Sequence, residues 1–317
     1  MSWQTLDTTP IFAGCIVPPA RAAAIRAALQ KRIVPLLVAR QCRLEPLATG
    51  ALCTDSGRTF LLTCRHALDE GVALDDLAVP LVDSRVLWLR HAHPRVFVHP
   101  LRDLALIELR GRVASSLAEH YRAVPLPGEA IDERDASFAN SRDARQFKAS
   151  ARASGTQDAR IAVLAGFPYA QMRRHDGVLY ARPLVAFVSL QADFSQAHSR
   201  RSFANPLLPD NLLEEFSIDH AAPNGAATRE RDVKPHRSGD VYFAYPRIAV
   251  RADGVEIHAP ELDGVSGATL WTVHDESADG IGCVLRISGV QVAFKPGAYA
   301  RAEPLAALQD LLEHVRR

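Results

Sequence analysis

What the sequence is short of narrows the field first. Its 317 residues hold five cysteines, Cys15, Cys42, Cys53, Cys64 and Cys283, an odd number with no Cys-x-x-Cys pair. That spacing speaks against a disulfide framework and a zinc cage, and leaves the cysteines as small buried hydrophobes. Cys64 alone stands near an interesting histidine, but inside an apolar strand-like run. No apolar stretch reaches the roughly 18 residues of a membrane-spanning helix. Neither sign of charge dominates, with Lys+Arg 37 against Asp+Glu 36, so no overall field gathers nucleic acid or an anionic membrane. The opening MSWQTLDTTPIFAGCIVPPARAAAIR shows no basic leader with a continuous apolar core and cleavage site, so a cytoplasmic protein is expected. His91 and His93 sit at strand spacing with His99 nearby, but lack a matching acid or cysteine; they read as surface histidines, and neither metal nor cofactor is expected.

The chain does have ample core material, 48% hydrophobic, distributed mostly as short strands. Residues 1–34 form an N-terminal extension in which PARAAAIRAALQKR, from Pro19 to Arg32, predicts a helix with Ile25 and Leu29 on one face. Strand-like runs follow: IVPLLVAR, TGALCT, a turn at Asp55-Ser56-Gly57, TFLLTC, then Val86 to Leu89, Arg95 to Val98 and Leu104 to Leu109. With no long helix expected before about Ala130, residues 35–130 read as one β-barrel. Residues 131–160 turn polar and read as a linker or insertion. A second strand series over 161–302 reads as a second barrel, interrupted by a long polar stretch at about 191–240. Residues 303–317 predict a C-terminal helix, with Leu305, Leu308, Leu311, Leu312 and Val315 on one face.

Three segments carry chemistry. Leu61-Leu62-Thr63-Cys64-Arg65-His66 ends a strand on a histidine, which taken alone is a capping or surface residue. Asp103 immediately precedes the alternating strand Leu104 to Leu109, and taken alone is a turn residue. Gly264-Val265-Ser266-Gly267 is a tight turn feeding a strand; such a turn exposes a hydroxyl while aiming successive backbone N–H groups at one point. Gly-x-Ser-Gly turns are common by themselves.

Together and in this order, the three segments resemble the trypsin/chymotrypsin family of serine proteases, as a bacterial intracellular member. Subtilisins run Asp, His, Ser and α/β-hydrolases Ser, acid, His, so the order His, Asp, Ser selects among them. Ile287 to Val292, Lys295-Pro296-Gly297-Ala298-Tyr299-Ala300 and Gly166-Phe167-Pro168 resemble further family segments. The resemblance spans roughly Leu36 to Arg317 without the polar stretches. It implies an all-β fold of two six-stranded antiparallel barrels flanked by N- and C-terminal helices. It also implies a serine endopeptidase acting on a protein or peptide substrate. In it Ser266 is the nucleophile, His66 the base and Asp103 the residue that orients the base, with the N–H groups of Gly264 and Ser266 as the oxyanion hole.

Departures from the family are informative. Val265 stands where the secreted zymogens carry an aspartate that pairs with a freshly cut N-terminus, so Ile16-Val17 reads as a chance likeness and activity as independent of cleavage there. Ala67 follows His66 where the family has a disulfide cysteine. The substrate pocket is expected from Glu261, Asp263, Gln291, Val292, Ala293 and Phe294; Glu261 or Asp263 either favours a basic side chain or is a solvated loop acid. Two alternatives stay open: a protease-fold binding module without catalysis, and a latent enzyme whose site forms with an activating or regulatory partner.

Overall fold

The structure is a computed structural model; it describes residues 2–13, 15, 17–41, 43–69, 71–81, 84–126, 131–133, 161–191, 240–275, 283–295 and 299–317. The chain starts with two strands, β1 (Ser2–Thr5) and β2 (Ile11–Ala13), ahead of α1 (Pro19–Gln30). The first long series is β3 (Ile33–Arg40), β4 (Arg43–Asp55), β5 (Arg58–Thr63), the single turn α2 (His66–Asp69), β6 (Leu77–Pro80), β7 (Val86–Trp88), β8 (Arg95–Val98) and β9 (Ala105–Leu109). Next come α3 (Gly111–His120), β10 (Val124–Pro125) and β11 (Ile131–Glu133). The second series is β12 (Ile161–Gly166), β13 (Met172–His175), β14 (Val178–Ala181), β15 (Leu184–Gln191), β16 (Val241–Ala244), β17 (Ile248–Arg251), β18 (Glu256–His258), β19 (Thr269–Asp275), β20 (Cys283–Lys295) and β21 (Tyr299–Pro304). The last element is α4 (Leu305–Arg316).

The turn expected at Asp55-Ser56-Gly57 is a two-residue hairpin: Asp55 pairs with Arg58, and Ser56 and Gly57 both take positive φ, 49° and 76°. Two positive φ values twist the backbone with the strands, which is why Gly is favoured there. The first sheet has the order β7-β6-β3-β4-β5-β9-β8, with β10 alongside β4. β5 from Phe60 to Leu62 and β9 from Ala105 to Ile107 are continuously apolar and buried because both faces of the sheet are covered there. Leu61 and Ile107 face one core with Val34, Leu52 and Leu109. Leu62, Phe60 and Leu106 face another, shared with Phe187, Val163 and Trp271 of the second series and with Leu308, Leu311 and Leu312 of α4.

In the second sheet β12 pairs with both β19 and β15, so that β12-β19-β20-β21-β16-β15 form a closed six-stranded barrel. Counted along the chain, its strands neighbour one another in the order 1-2-3-6-5-4. The first sheet repeats that order with its fifth strand split into β7 and β8.

Two expectations need correcting. The first sheet is a curled half-barrel: among the described residues, the edge strands β7 and β8 make no ladder with each other. The chain between them is a 3₁₀ turn, Leu89–Ala92, whose Leu89 and Ala92 are buried. A helix also interrupts the strands before Ala130. α3 buries Val113 and Leu117, four apart on one face, against the half-barrel core.

The N-terminal extension is more than a helix. β2 adds in parallel to β15 and antiparallel to β17, and β1 adds to β14. Ile131–Glu133, expected to open the polar linker, pairs with β20. The rest of that linker and most of the 191–240 insertion lie outside the described residues. α1 and α4 run as expected, α1 burying Ile25 and Leu29 and α4 burying Leu308, Leu311, Leu312 and Val315. α4 ties the two halves together, since Arg316 binds the Asp55 carboxylate through Nε at 3.0 Å and through its terminal nitrogen, and Arg58 donates to the Val315 carbonyl at 3.1 Å.

Candidate active site

Strand register brings His66 and Asp103 together. β5 and β9 are antiparallel neighbours with Thr63 opposite Ala105, so the chain leaving β5 and the chain entering β9 meet at one end of the sheet. His66 lies three residues past the first position and Asp103 two before the second. The Asp103 carboxylate accepts from the His66 backbone N–H at 2.8 Å with one oxygen and meets His66 Nδ1 at 2.6 Å with the other. This double grip fixes both the backbone and the ring. Asp103 is aimed by its own turn, in which the buried His99 accepts through Nδ1 from the N–H groups of Leu101 and Arg102 at 3.1 and 3.0 Å. His99 is therefore a buried structural residue, contrary to the surface position expected of it, while His91 and His93 are exposed.

The Ser266 turn belongs to the second barrel but is stitched to the first sheet by Thr49 of β4. Thr49 is fully buried, and its N–H donates to the Ser266 carbonyl at 2.9 Å. Its hydroxyl donates to the Gly264 carbonyl and accepts from the Phe167 N–H, both at 2.9 Å. Thr63, beside it, donates to the Thr49 carbonyl at 2.9 Å. Close approach explains the glycines. Gly267 has φ +88°, and a Cβ there would lie 2.2 Å from the Thr49 carbonyl oxygen and 2.9 Å from the Cys64 nitrogen. Gly264 has φ +84°, and a Cβ there would lie 2.2 Å from the Tyr169 ring.

Ser266 is thus held at the seam next to the segment that ends in His66, and is buried to 7% exposure. The Gly267 N–H donates to the Gln291 carbonyl and the Val265 N–H to the Leu262 carbonyl, whereas the Gly264 and Ser266 N–H groups have no backbone acceptor among the described residues. Val265 is fully buried in the barrel core with Leu164, Ala268 and Leu270. Apolar packing anchors the turn where an aspartate is absent.

Burial works against a charged His66. Against that act the neighbouring Cys64 and the charge and hydrogen bond of Asp103, and the balance holds the imidazole well above its ordinary value. Asp103 likewise loses hydration, but the His66 ring, the His66 N–H and, further off, Arg301 hold its carboxyl below the usual range. The Cys64 sulfur lies 3.6 Å from His66 Nε2, a contact that strand reasoning alone did not foresee. Burial pushes Cys53 and Cys15 up to about 12, in keeping with inert thiols.

Of the expected pocket residues, Glu261 is exposed and Asp263 half-buried, with its carbonyl accepting from Tyr169 N–H at 2.7 Å. Gln291, Val292 and Ala293 are buried beside the turn: Gln291 N–H donates to Ala268 O, and Val292 and Ala293 pack in the same core as Cys64 and Ala67. Phe294 packs half-buried on the barrel core. Pro296 to Ala298 and Ile16 lie outside the described residues. Among those described, no group of three or more His, Cys, Asp and Glu is placed to hold a metal ion, and no helix is long and apolar enough to cross a membrane. Set against known proteins, the chain matches no family model and no curated protein.

Two groups of residues at the site had little signal in the sequence. Thr49 is a lone threonine among the small and apolar residues from Leu47 to Leu52 of β4. Arg301 and Glu303 alternate along Tyr299-Ala300-Arg301-Ala302-Glu303 and so share a face, which was a readable pattern whose target was not.

Proposed function

We propose that the chain is a serine endopeptidase of the trypsin/chymotrypsin kind, cleaving peptide bonds of a protein substrate through an acyl-enzyme on Ser266. The observation that carries this reading is the double grip of Asp103 on His66 at the sheet end against which the Gly-x-Ser-Gly turn is tied. The repeated strand order of the two halves supports it too, one half supplying His66 and Asp103 and the other Ser266.

In this reading the Ser266 hydroxyl, too weak a nucleophile alone, attacks the substrate carbonyl as His66 Nε2 takes its proton. Asp103, bound to Nδ1, keeps the tautomer that leaves Nε2 free to accept, and stabilises the imidazolium that forms. The oxyanion of the tetrahedral intermediate accepts from the Gly264 and Ser266 N–H groups; losing one such donor costs about 100 to 1,000-fold. His66 returns the proton to the leaving amine, and a water activated by the same imidazole then releases the acyl group. The apolar anchoring of Val265 lets the turn form without a cleaved N-terminus.

The test is labelling with an organophosphonate serine probe followed by peptide mass mapping, with Ser266→Ala as control. An adduct on Ser266 that vanishes in the control is expected; a well-folded sample that takes none would refute the assignment. The Cys64 sulfur at 3.6 Å from Nε2 favours a second reading in which the thiol is the nucleophile. Its complete burial weighs against that reading. Loss of peptide cleavage on alkylation of Cys64, with Ser266→Ala still active, would establish it instead.

A further inference from the structure

Behind Asp103 lies an ionic cluster that the proposed chemistry leaves unused. Glu303, on β21 and 3% exposed, accepts from the Asp103 backbone N–H at 3.2 Å. Its other oxygen meets the Arg102 guanidinium at 3.3 Å, and Arg301 stands 4.0 Å away. Asp240, with a side chain only 1% exposed, pairs with Arg102 and, at 3.2 Å, with Arg301. Two guanidiniums therefore sit within one residue of, or across from, the carboxylate that faces His66. Left to themselves, they would draw on the Asp103 charge.

We propose that Glu303 is a positioning residue for the Asp103–His66 pair. It holds the Asp103 backbone and, with Asp240, offsets Arg102 and Arg301, so that Asp103 presents its whole charge to His66. This rests on the peptidase reading for its catalytic consequence, though not for its electrostatics. Counted together, Asp103, Asp240 and Glu303 carry three negative charges against two on the arginines. The remaining one is neutralised when His66 takes up a proton, the event the transition state requires.

The other groups facing the pair do not supply this balance. Cys64 and Arg65 lie on the His66 side, with Arg65 turned to the carbonyl of His99 at 3.4 Å, and His99 itself lies in the turn that leads into Asp103. Tyr242 and Tyr299 flank the cluster, their phenols raised by burial and so neutral. Burial also raises Glu303, while Arg301 and the Asp103 N–H lower it.

The test is an NMR titration of His66 in the full chain, alongside the pH profile of kcat/KM and Ser266 labelling. Glu303→Gln keeps the shape and an acceptor for the Asp103 N–H but drops the charge. The His66 pKa should fall by about half a unit or more, moving the acid limb of the profile down with it. kcat should drop about tenfold with KM changed less, and Glu303→Asp should recover most of both. Arg301→Gln should move the His66 pKa the opposite way, which keeps the idea testable if Glu303→Gln does not fold. An unchanged His66 pKa in folded Glu303→Gln, or a fall in Arg301→Gln, would overturn the proposal. If the parent chain takes no probe on Ser266, the peptidase reading fails alone, because the His66 titration still reads the effect of Glu303.

Discussion

Replacing Thr49 by valine tests how the Ser266 turn is held. The substitution keeps the β-branched shape and nearly the volume, so packing changes little, but it deletes a hydroxyl that donates to the Gly264 carbonyl and accepts from the Phe167 N–H, both at 2.9 Å. With Thr49 fully buried, water does not replace it, and both backbone groups are orphaned. Each unsatisfied buried group costs about 1–3 kcal/mol. The carbonyl has a second lone pair, which puts the sum in the lower half of the combined range, about 2–4 kcal/mol. Urea unfolding reads this directly. The organophosphonate labelling rate should fall at least about tenfold as the Gly264 peptide loosens, since small displacements of such groups are costly. Thr49→Ser keeps the hydroxyl and should stay within about 1 kcal/mol of the parent. A valine variant within about 0.5 kcal/mol of the parent, labelled at the parental rate, would show that Thr49 does not hold the turn.

Gly267→Ala should prevent the turn from forming, because its Cβ would stand 2.2 Å from the Thr49 carbonyl oxygen at φ +88°; a folded, labelled variant would contradict the close packing. Asp103→Asn should lower the labelling rate about a thousandfold or more by leaving His66 in the wrong tautomer. The same variant reads the pair's stability. His66 is raised, so its contribution is complete below about 6.5 and is lost as pH climbs through its folded value. Asp103 is lowered, so the contribution is present above about 3.9 and disappears as pH falls through its folded value. The parent's advantage in unfolding free energy should therefore be greatest at about pH 4–6.5 and shrink on either side; a pH-independent difference would contradict the pair. Arg316→Ala should lower the unfolding free energy only modestly, because Arg316 is 44% exposed although Asp55 is only 3% exposed. Arg316 lowers Asp55, so this loss should disappear as pH falls below about 3.9 through the lowered value; unfolding curves at pH 7 and pH 3 compare the two.

The parts of the fold that depend on near neighbours were legible in the chain. The Asp55-Ser56-Gly57 turn, the faces of α1 and α4 and most strands of both series, though not β6, β13 or β21, follow from periodicity and turn chemistry, which act over a few residues. The order of His66, Asp103 and Ser266 was legible as well, though not that a strand register puts the first two in contact. What the local pattern hid was decided by distant partners. α3 is a short amphipathic segment whose Val113 and Leu117 become a face only against the half-barrel core. β1 and β2 are strands because β14 and β15 offer free edges more than 150 residues away. Between β7 and β8 the chain leaves the ladder for a turn at Leu89–Ala92 that buries Leu89 and Ala92, a burial set by the core around it and not by the local pattern.

The same division runs through the candidate site. The sequence by itself determined the chemical types, an imidazole after one strand, a carboxylate before another and a hydroxyl in a glycine-flanked turn, because each is a property of a few consecutive residues. Only the tertiary structure decided what surrounds them: Thr49 bridging two sheets, the Cys64 sulfur against Nε2, and Glu303 behind Asp103 between two guanidiniums. Hydrogen bonds and charges act through space over a few ångströms, and the residues that make them here lie up to 215 positions apart in the chain, beyond the reach of any local pattern.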